Sequence, residues 1–569
     1  MAVLPAQNEA YADFIFQYSQ NTHGEQEYTS NDFFEIIDEI YAVVYISRES
    51  IGEISIADYN YGAVPKYYVP MDTEALNASG ILRVQNQPYL NLKGKGTAVA
   101  IIDSGIDYEN KAFIDAVGKS RIAYLWDQSI PTEWDEESDA ARNGRTVPYG
   151  REFTGKEIDE ALESNDPKKK VPSVDENGHG TFLAGIAAGS GNAVQDFLGA
   201  APEASLIIVK LKQMKEYLRE FYLVPEGTDA YQENDIMFAV QYAINRARKM
   251  NMPLSICIGL GTNLGAHIGE GPLNQYLDSV SRYKQRAVSV AAGNEGNMRH
   301  HFGGMIENGE QEMVVETRVG AREPGFVMEF WGNAPNFYSM QIQTPFGEEA
   351  DVLTSRGGEV QDIRFIFSNT RIQATYVRLE RQSGCTLIFL RMIEPAEGIW
   401  RFRIFSNAIY QAGFHMWLPP RGVLSNETYF LESSPANTVT SPGDSEAVMT
   451  VTAYDYRNES LYVEAGRGYL SDSKIKPDFA APGVEVTSIL PGGRFVKRSG
   501  TSLAAAQTAG AAALLLEWAS VKGNSPFLNG KSIKNYFIRA AGRSTGRQYP
   551  NPEWGYGKLN LYGTFEVLP

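Results

Sequence analysis

Short, mostly apolar runs recur along the chain and alternate with stretches of helical spacing. The first run, 99–102, lies between glycines, and similar runs occur at 204–211, 253–259, 286–293 and 447–453. Helical spacing is clearest at 180–189 and 234–250. Buried apolar strands that alternate with helices are typical of a parallel sheet covered on both faces. The pattern therefore predicts an α/β domain, with functional side chains just beyond the carboxyl ends of its strands.

The segment from about 297 to 440 interrupts this alternation. It contains a series of short runs in which apolar and polar residues alternate, at 310–320, 325–332, 338–345, 362–370, 374–381, 385–392, 398–406 and 413–419. Period-two alternation at close spacing indicates antiparallel strands, so we expect a β-sandwich or jelly-roll domain inserted into the α/β domain. Its role is open between clamping the rest of the chain and capturing a substrate or partner. Clamping is favoured, because the sequence of the insert shows no cluster of exposed aromatic or ligand-binding residues.

Residues 1 to about 80 indicate a small α/β unit that precedes the main domain. The segment 33–40 has helical spacing, and 41–49 is a strand-like run of β-branched and aromatic residues. The next stretch, 59–76, carries two prolines and turns polar, which suits an exposed linker. The predicted organisation is an N-terminal α/β unit, an α/β domain in two pieces and an all-β insert, with boundaries at 1–75, 76–296 plus 441–569, and 297–440.

Composition narrows the class of protein and of partner. The chain has 569 residues, of which 43% are hydrophobic and 21% charged, as expected for a folded protein of several domains. Its formal net charge of -18 argues against nucleic acid or an anionic membrane surface as a partner, because both are polyanions. No run of about 18 apolar residues predicts a membrane span, and the N-terminus lacks the basic start and apolar core of a signal peptide. We expect a cytoplasmic location, unless the chain is released by lysis or packaged into another structure such as a spore.

Three polar side chains stand in contexts that suit catalysis. Asp103 ends the first apolar run, His179 lies between two glycines at the start of a small-residue helix, and Ser502 opens the apolar segment 499–519. Taken singly, each has an ordinary structural explanation, as a turn aspartate, a helix-terminal histidine and a helix-capping serine. Together they match a chemical requirement. A serine hydroxyl needs a base to take its proton, and the imidazole that does so needs an anion to hold its tautomer.

A fourth polar residue, Asn294, follows the buried run 286–293. Its ordinary explanation is a loop turn. With the backbone N–H of Ser502, its amide N–H would hold the oxyanion of a tetrahedral intermediate.

These residues lie in four sequence blocks that resemble the signature blocks of subtilisin-like serine proteases. The blocks are "AVAIIDSGID", "NGHGTFLAGIAAG", "AAGNEGN" and "SGTSLAAA", in that order. The order Asp, His, Asn, Ser is that of subtilisin and differs from the orders of chymotrypsin and the α/β-hydrolases. The resemblance covers roughly residues 80–296 and 441–560. It implies that Asp103 orients the imidazole, His179 is the general base and acid, Ser502 attacks, and Asn294 donates to the oxyanion.

The resemblance also implies residues that contact the substrate. The family pairs its substrate as an extra β-strand, and the corresponding segment here is Gly259, Leu260 and Gly261. The specificity pocket of the family corresponds to Ala292, Gly293 and Glu295. A carboxylate at position 295 would favour a basic or polar side chain on the residue before the scissile bond. Relatives often bind Ca²⁺, but no ligand set for it can be placed here, and we expect neither a metal nor a cofactor.

Two residues depart from the family pattern. Ala506 replaces the usual proline after the serine block, and Gln507 replaces the histidine that commonly follows; neither position carries chemistry. The alanine run resembles the Csp germination proteases of clostridia, which share an N-terminal prodomain and an inserted jelly roll. Some Csp-like members have lost triad residues, whereas this chain keeps all three. The N-terminal unit is then expected to be a propeptide that the chain cuts between about Ala63 and Ser79.

The resulting hypothesis is a serine endopeptidase that acts on protein or peptide substrates and on its own prodomain. The alternative is a catalytically silent scaffold that binds a protease or signalling partner through the same cleft. A third reading, an esterase, fits the nucleophile but does not account for the peptide-pairing strand.

Overall fold

The structure is a computed structural model that describes residues 2–17, 33–38, 40–51, 54–59, 61–70, 78–134, 146–191, 197–307, 312–354, 360–406 and 411–568. Its centre is a nine-stranded sheet. The apolar runs predicted from the sequence are strands of this sheet, at Ala98–Asp103, Ser205–Lys210, Leu254–Ile258, Arg286–Ala291 and Met449–Asp455. The prediction of an α/β domain built on a largely parallel sheet is confirmed.

The strand order brings two of the predicted site residues to one edge of the sheet. The order is Ser460–Leu461, Met449–Asp455, Arg286–Ala291, Leu254–Ile258, Ala98–Asp103, Ser205–Lys210, Ile122–Asp127 and Arg151–Thr154, with Phe479–Pro482 also paired to Met449–Asp455. Neighbouring strands are parallel except at the two ends of this path. Asp103 is the last residue of a central strand, and Asn294 follows the strand two places away. Both therefore lie at the carboxyl edge, where parallel sheets present functional groups.

Helices cover both faces of the sheet. Ala100 and Ile102 pack in the layer that contains the helices Glu233–Met250 and Pro272–Arg282. Val99 and Ile101 pack in the opposite layer, whose helices are Ile81–Asn86, Gly155–Leu162, His179–Ala188, Thr501–Leu516, Gly530–Ala540 and Leu561–Val567. Because both faces are covered, these strands are buried at almost every position rather than at every second one.

The region 297–440 contains two antiparallel sheets that share a core. One has the strand order His301–Ile306, Ala412–Trp417, Gly325–Gly332, Thr386–Ile393, Arg371–Val377 and Val360–Arg364. The other has the order Tyr338–Gln343, Gly398–Ser406, Glu312–Val319 and Tyr429–Phe430. Side chains such as Phe330 and Phe402 are fully buried in the core that the two sheets share. Each alternating run predicted from the sequence overlaps one of these strands.

The N-terminal unit is built on a three-stranded antiparallel sheet. Tyr41–Ser47 lies between Tyr11–Gln17 and Phe33–Ile36. The strand expected at 41–49 is thus confirmed, but the prediction of a helix at 33–40 is wrong. Phe33–Ile36 pairs along Tyr41–Ser47, and this ladder overrides the local helical spacing. The α-helices described in this unit are single turns, at Arg48–Ile51 and Ile56–Tyr59.

Residues 61–66 lie in the stretch 59–76 that was predicted to be an exposed linker, but all of them except Ala63 are buried. Tyr61, Val64 and Lys66 are at most 5% exposed. The next residues, Tyr67–Pro70, form a strand that pairs with Tyr231–Gln232 on one side and with Leu260–Gly261 on the other. The linker prediction is therefore wrong for this part, and residues 71–77 lie outside the described residues.

The other elements are short. Ala2–Val3 pairs with Glu133–Trp134, and Val486–Leu490 pairs with Arg494–Arg498. The remaining helical segments are Pro5–Gln7, Lys111–Phe113, Pro167–Lys170, Glu216–Tyr222 and Glu517–Val521. Among the helices of the described ranges, none has the length and apolar character needed to cross a bilayer.

Candidate active site

Asp103, His179 and Ser502 are joined by hydrogen bonds at the carboxyl edge of the central sheet. Nδ1 of His179 lies 2.7 Å from Oδ1 of Asp103, and Nε2 lies 3.2 Å from Oγ of Ser502. All three residues are at most 2% exposed. In this arrangement Nδ1 donates to the carboxylate, which leaves Nε2 as the acceptor for the serine hydroxyl. Three residues that are distant in sequence thus form a carboxylate–imidazole–hydroxyl chain.

Two glycines position His179 at the start of the helix His179–Ala188. Gly178 has a φ of 80°, in the left-handed region that favours glycine. A Cβ on Gly180 would lie 2.2 Å from the backbone oxygen of Gly105. Only glycine therefore permits the helix to approach the loop that follows Asp103, and this approach brings the imidazole to the carboxylate.

Ser502 lies inside the helix Thr501–Leu516 rather than at its cap. The N-cap residue is Gly500, which has no side chain to cap the helix. The helix is buried along its whole length. A Cβ on Gly510 would lie 2.6 Å from the backbone oxygen of Ala187, so the small residues let this helix pack closely on the helix of His179. The ordinary explanation of Ser502 as a cap is therefore wrong, and its hydroxyl is directed to the imidazole.

Thr501 fixes the orientation of the Asn294 amide. Oδ1 of Asn294 accepts hydrogen bonds from the backbone N–H of Thr501 at 3.1 Å and from Oγ1 of Thr501 at 3.0 Å. Oγ1 of Thr501 in turn accepts one from the backbone N–H of Gly293 at 3.1 Å. Because the backbone N–H of Thr501 requires an oxygen as its partner, Nδ2 is the amide group left to donate elsewhere. Asn294 was predicted from the sequence, whereas the threonine that orients it was not.

Asp175 is a second residue that sequence reasoning missed. Its Oδ1 accepts hydrogen bonds from Ser104 Oγ and the backbone N–H of Gly178, each at 2.8 Å. Its Oδ2 accepts them from Thr181, through the backbone at 2.8 Å and the hydroxyl at 2.6 Å. The carboxylate therefore ties the loop after the aspartate strand to the turn that carries His179. The sequence signal for this role of Asp175 is an acidic residue four positions before the glycine-flanked histidine.

The predicted substrate-contacting segment lies directly against the serine and the histidine. A Cβ on Gly259 would be 3.1 Å from Cβ of Ser502 and 3.2 Å from Cε1 of His179. The next two residues, Leu260–Gly261, form a short strand that pairs with Tyr67–Pro70 of the N-terminal region, which we call the cleft strand. The edge expected for a substrate is thus paired with a segment of the same chain.

Ala292 and Gly293 connect the strand Arg286–Ala291 to Asn294. Ala292 is fully buried, and its N–H donates to the backbone oxygen of Val451 at 3.0 Å. Gly293 has a φ of 93°, and a Cβ there would lie 2.5 Å from the side chain of Thr440. Glycine is therefore required at this position, and the backbone of the segment is fixed beside Asn294.

Glu295 is engaged in hydrogen bonds with several neighbours. Its Oε2 lies 2.7 Å from Nδ1 of His300 and accepts a hydrogen bond from Nδ2 of Asn263 at 3.0 Å. Its Oε1 accepts one from the backbone N–H of Arg421 at 2.9 Å. The residue is 2% exposed. These contacts join the insert to the α/β domain. They also occupy both oxygens of the carboxylate, which the family resemblance had assigned to the specificity pocket.

The two cysteines, Cys257 and Cys385, are further candidate nucleophiles. Both cysteines are free, and Cys257 is buried. Burial, together with the negative charge of Asp103, raises the pKa of the Cys257 thiol, so it stays protonated and is a poor nucleophile. Within the ranges that the structure describes, no three His, Cys, Asp or Glu side chains are grouped to hold a metal ion.

The chain is similar to a known protein family and to a solved structure. Residues 94–316 and 425–557 match the model of the subtilase family. The chain is also similar to the solved structure of the Clostridium perfringens CspB protease, with a TM-score of 0.75 and 32% sequence identity. That likeness covers 86% of this chain and 96% of the other.

Two curated relatives are more distant. The C5a peptidase of Streptococcus pyogenes is 22% identical over 450 residues, which are 74% of this chain and 35% of the relative. The PII-type proteinase of Lacticaseibacillus paracasei is 23% identical over 534 residues, which are 84% of this chain and 25% of the relative. The chain thus spans about a third of the first relative and about a quarter of the second.

Proposed function

The chain belongs to the subtilase family, and from this membership and the geometry of the site we propose that it is a serine endopeptidase acting on protein or peptide substrates. Ser502 is the nucleophile, His179 the general base and acid, and Asp103 the anion that orients the imidazole. Asn294 and the backbone N–H of Ser502 donate to the oxyanion. The chemistry needs no cofactor.

Hydrolysis proceeds through an acyl-enzyme. As Oγ of Ser502 bonds to the substrate carbonyl carbon, Nε2 of His179 takes the hydroxyl proton. The carbonyl oxygen gains negative charge, which Nδ2 of Asn294 stabilises. His179 then gives the proton to the leaving amine, and the C–N bond breaks. Water repeats the sequence on the ester and releases the acid product with Ser502 regenerated.

The observation that carries this proposal is the contact of one imidazole with both Asp103 and Ser502, at 2.7 and 3.2 Å. A catalytically silent scaffold has no need to bury a carboxylate, an imidazole and a hydroxyl in hydrogen-bonding order. An esterase has no need of a strand such as Leu260–Gly261, which pairs with an extended peptide. The endopeptidase accounts for both features.

Replacing Asn294 with Ala is expected to lower kcat by about 10²–10³-fold with little change in KM, the magnitude known for the equivalent asparagine of subtilisin, a member of this family. The oxyanion loses a preorganised donor that acts mainly in the transition state. Steady-state kinetics on a fluorogenic peptide checks the prediction. Thr501→Val is the matched variant: it keeps Asn294 but removes the hydroxyl that donates to Oδ1, so a smaller loss of kcat is expected. An Asn294→Ala variant with wild-type kcat would exclude the oxyanion role.

We further propose that residues 1–75 are a propeptide and that the α/β domain, 76–296 with 441–569, cuts it off. The cleft strand supports this, because it forms hydrogen bonds on both sides, with Tyr231–Gln232 and with Leu260–Gly261. The latter segment adjoins Gly259, which contacts the nucleophile. The peptide bond to be cut therefore follows the cleft strand, in the segment 71–79, within the wider region expected from the sequence.

A buried ion pair supports the retention of the propeptide after cleavage. Asp13 lies in the strand Tyr11–Gln17 and is fully buried. Its Oδ1 is 2.6 Å from Nζ of Lys215, which is 2% exposed and belongs to the α/β domain. Nζ of Lys215 also donates to the backbone oxygens of Pro5 at 2.7 Å and Tyr11 at 3.1 Å, so the N-terminal unit surrounds this ammonium with three acceptors. We therefore expect the cut N-terminal fragment to remain bound.

We propose that the insert, 297–440, is a jelly roll that clamps the other two units. The carboxylate of Glu329, fully buried within it, accepts hydrogen bonds from three directions. The donors are Tyr61 OH in the N-terminal unit at 2.7 Å, the backbone N–H of Gly265 in the α/β domain at 2.9 Å, and Nε1 of Trp331 in the insert at 2.9 Å. One side chain of the insert thus bonds both neighbouring units, which favours clamping over substrate capture.

Self-cleavage is tested by comparing purified wild type with Ser502→Ala. We expect the wild type to give two co-eluting fragments, the larger beginning within residues 72–79, because the cleft strand pairs with Leu260–Gly261, which adjoins Gly259 beside Ser502. The Ser502→Ala chain is expected to stay intact, since the nucleophile is missing. Intact-mass spectrometry and N-terminal sequencing provide the measurement.

The matched control is Ser460→Ala, which removes the hydroxyl of an exposed serine and is expected to be processed like the wild type. Cleavage of the Ser502→Ala chain at the same bond would assign the cut to another protease. An intact wild-type chain would refute self-processing.

A further inference from the structure

A buried lysine precedes the cleft strand and contacts a carboxylate of the α/β domain. Lys66 is 3% exposed, and its Nζ lies 3.3 Å from Oε2 of Glu233, which is fully buried. Hydrogen bonds of the main chain also connect Lys66 and Glu233. Glu233 N donates to the backbone oxygen of Lys66 at 2.8 Å, and Lys66 N donates to Oε2 of Glu233 at 3.2 Å. The residue before the cleft strand is therefore held by both its side chain and its backbone.

The α/β domain itself fixes the carboxylate of Glu233. This residue begins the helix Glu233–Met250 and follows Tyr231–Gln232, which pairs with the cleft strand. Its Oε1 accepts a hydrogen bond from the backbone N–H of Leu273 at 3.1 Å, a contact that does not involve the N-terminal unit. The carboxylate therefore keeps its position when another peptide takes the place of the cleft strand.

The surroundings of Lys66 favour a positive charge. A cavity of about 30 Å³ beside it is also lined by three acidic residues, Glu270, Glu380 and Asp444. The Lys66 ammonium lies 4.8 Å from the centre of the Tyr61 ring, which adds a favourable cation–π contact. A buried carboxylate left without a cation is strongly unfavourable. The site thus has the chemistry of a pocket for a lysine or arginine side chain.

We propose that Glu233 forms a subsite for a basic side chain of the substrate, at the fourth residue before the one that pairs with Leu260. The register gives this position, because Pro70 pairs with Leu260 and the lysine is residue 66. The inference rests on the proposed endopeptidase function, in which a substrate replaces the cleft strand. The substrate class is then proteins with Lys or Arg at this upstream position. Selection of a basic residue is thereby assigned to Glu233 rather than to Glu295, whose carboxylate is already engaged.

The first test uses the uncut full-length chain and does not depend on activity. In a Ser502→Ala background, Lys66→Met is expected to raise hydrogen exchange at the amides of residues 67–69 by at least about tenfold, because Glu233 is left with an unpaired buried charge. Lys66→Arg keeps the charge and is the matched control, expected within about threefold of its parent. Adding Glu233→Gln to Lys66→Met is expected to restore part of the protection. Equal exchange in the Met and Arg variants would overturn the proposal.

The second test measures selection by the active enzyme. Peptides with the sequence of residues 62–82, which span the whole segment expected to be cut, carry Lys, norleucine or Glu at position 66, and kcat/KM is measured for wild type and Glu233→Gln. We expect the wild type to prefer Lys over norleucine by about tenfold and to disfavour Glu, and Glu233→Gln to reduce the Lys-to-norleucine ratio below about twofold.

The outcomes separate this proposal from the proposed function. Equal kcat/KM for the Lys and norleucine peptides in the wild type overturns the subsite and leaves the endopeptidase intact. If no peptide is hydrolysed in a Ser502-dependent manner, the endopeptidase proposal fails. The exchange test on the inactive chain then still decides whether Glu233 selects a basic side chain.

Discussion

A His179→Ala variant is expected to lose about 10⁶-fold in kcat on peptide substrates, the loss known for the histidine of subtilisin, which belongs to the same family. The reason lies in the hydrogen bonds of the site. Nε2 of His179 is the acceptor for the Ser502 hydroxyl at 3.2 Å, and without it that proton has no base to move to. Protonation of the leaving amine is lost at the same time. Single-turnover and steady-state kinetics on one fluorogenic peptide give the ratio.

The His179→Ala result is interpretable only if the variant is folded. His179 is 2% exposed, so thermal unfolding of the variant is measured beside that of the wild type. Lys156→Ala, a change at an exposed lysine on the helix Gly155–Leu162, is the control and is expected to keep wild-type kcat. A folded His179→Ala enzyme with a loss of less than about tenfold would show that another base serves Ser502.

Asp103→Asn is expected to lower kcat by about 10⁴-fold while the fold and KM change little. Asp103 accepts a hydrogen bond from Nδ1 of His179 at 2.7 Å, and it holds the tautomer in which Nε2 is free to take a proton. An amide that presents its NH₂ group to Nδ1 favours the opposite tautomer, in which Nε2 carries the proton already. The comparison of kcat with KM distinguishes this effect from a loss of substrate binding.

A matched change nearby separates tautomer control from simple loss of a buried charge. Asp175→Asn also neutralises a buried carboxylate, but Asp175 bonds the turn before His179 and not the imidazole. We expect it to lower stability more than it lowers kcat. If both variants show the same fall in kcat, the role of Asp103 is structural rather than electrostatic.

Much of this arrangement was predictable from local sequence. Continuous apolar runs such as that within Ala98–Asp103 predict strands buried on both faces, and the helix Thr501–Leu516 is largely apolar because it is buried throughout. The glycines around His179 mark a position where backbone segments approach closely. Asp103, His179, Ser502 and Asn294 were identified because each lies at the end of such an element, in an order known from one family.

Features that depend on long-range contacts were not predictable. Phe33–Ile36 has the spacing of a helix, and only its pairing with Tyr41–Ser47 makes it a strand. The polar stretch that contains Lys66 is buried because Glu233, distant in sequence, supplies the opposite charge. Glu295 has the position of a pocket residue, but its contact with His300 directs it to the insert. In each case the deciding partner comes from another part of the chain, which local spacing cannot reveal.

Labelling with a fluorophosphonate tests most directly whether Ser502 is activated by the imidazole beside it. The probe forms a covalent bond only with a serine whose hydroxyl loses its proton to a base. We predict one adduct on wild-type protein, located at Ser502 by peptide mass spectrometry, and its loss in His179→Ala. Labelling of Ser502 at the wild-type rate in the His179→Ala variant, or no labelling of Ser502 in the processed wild-type protein, would contradict the assignment.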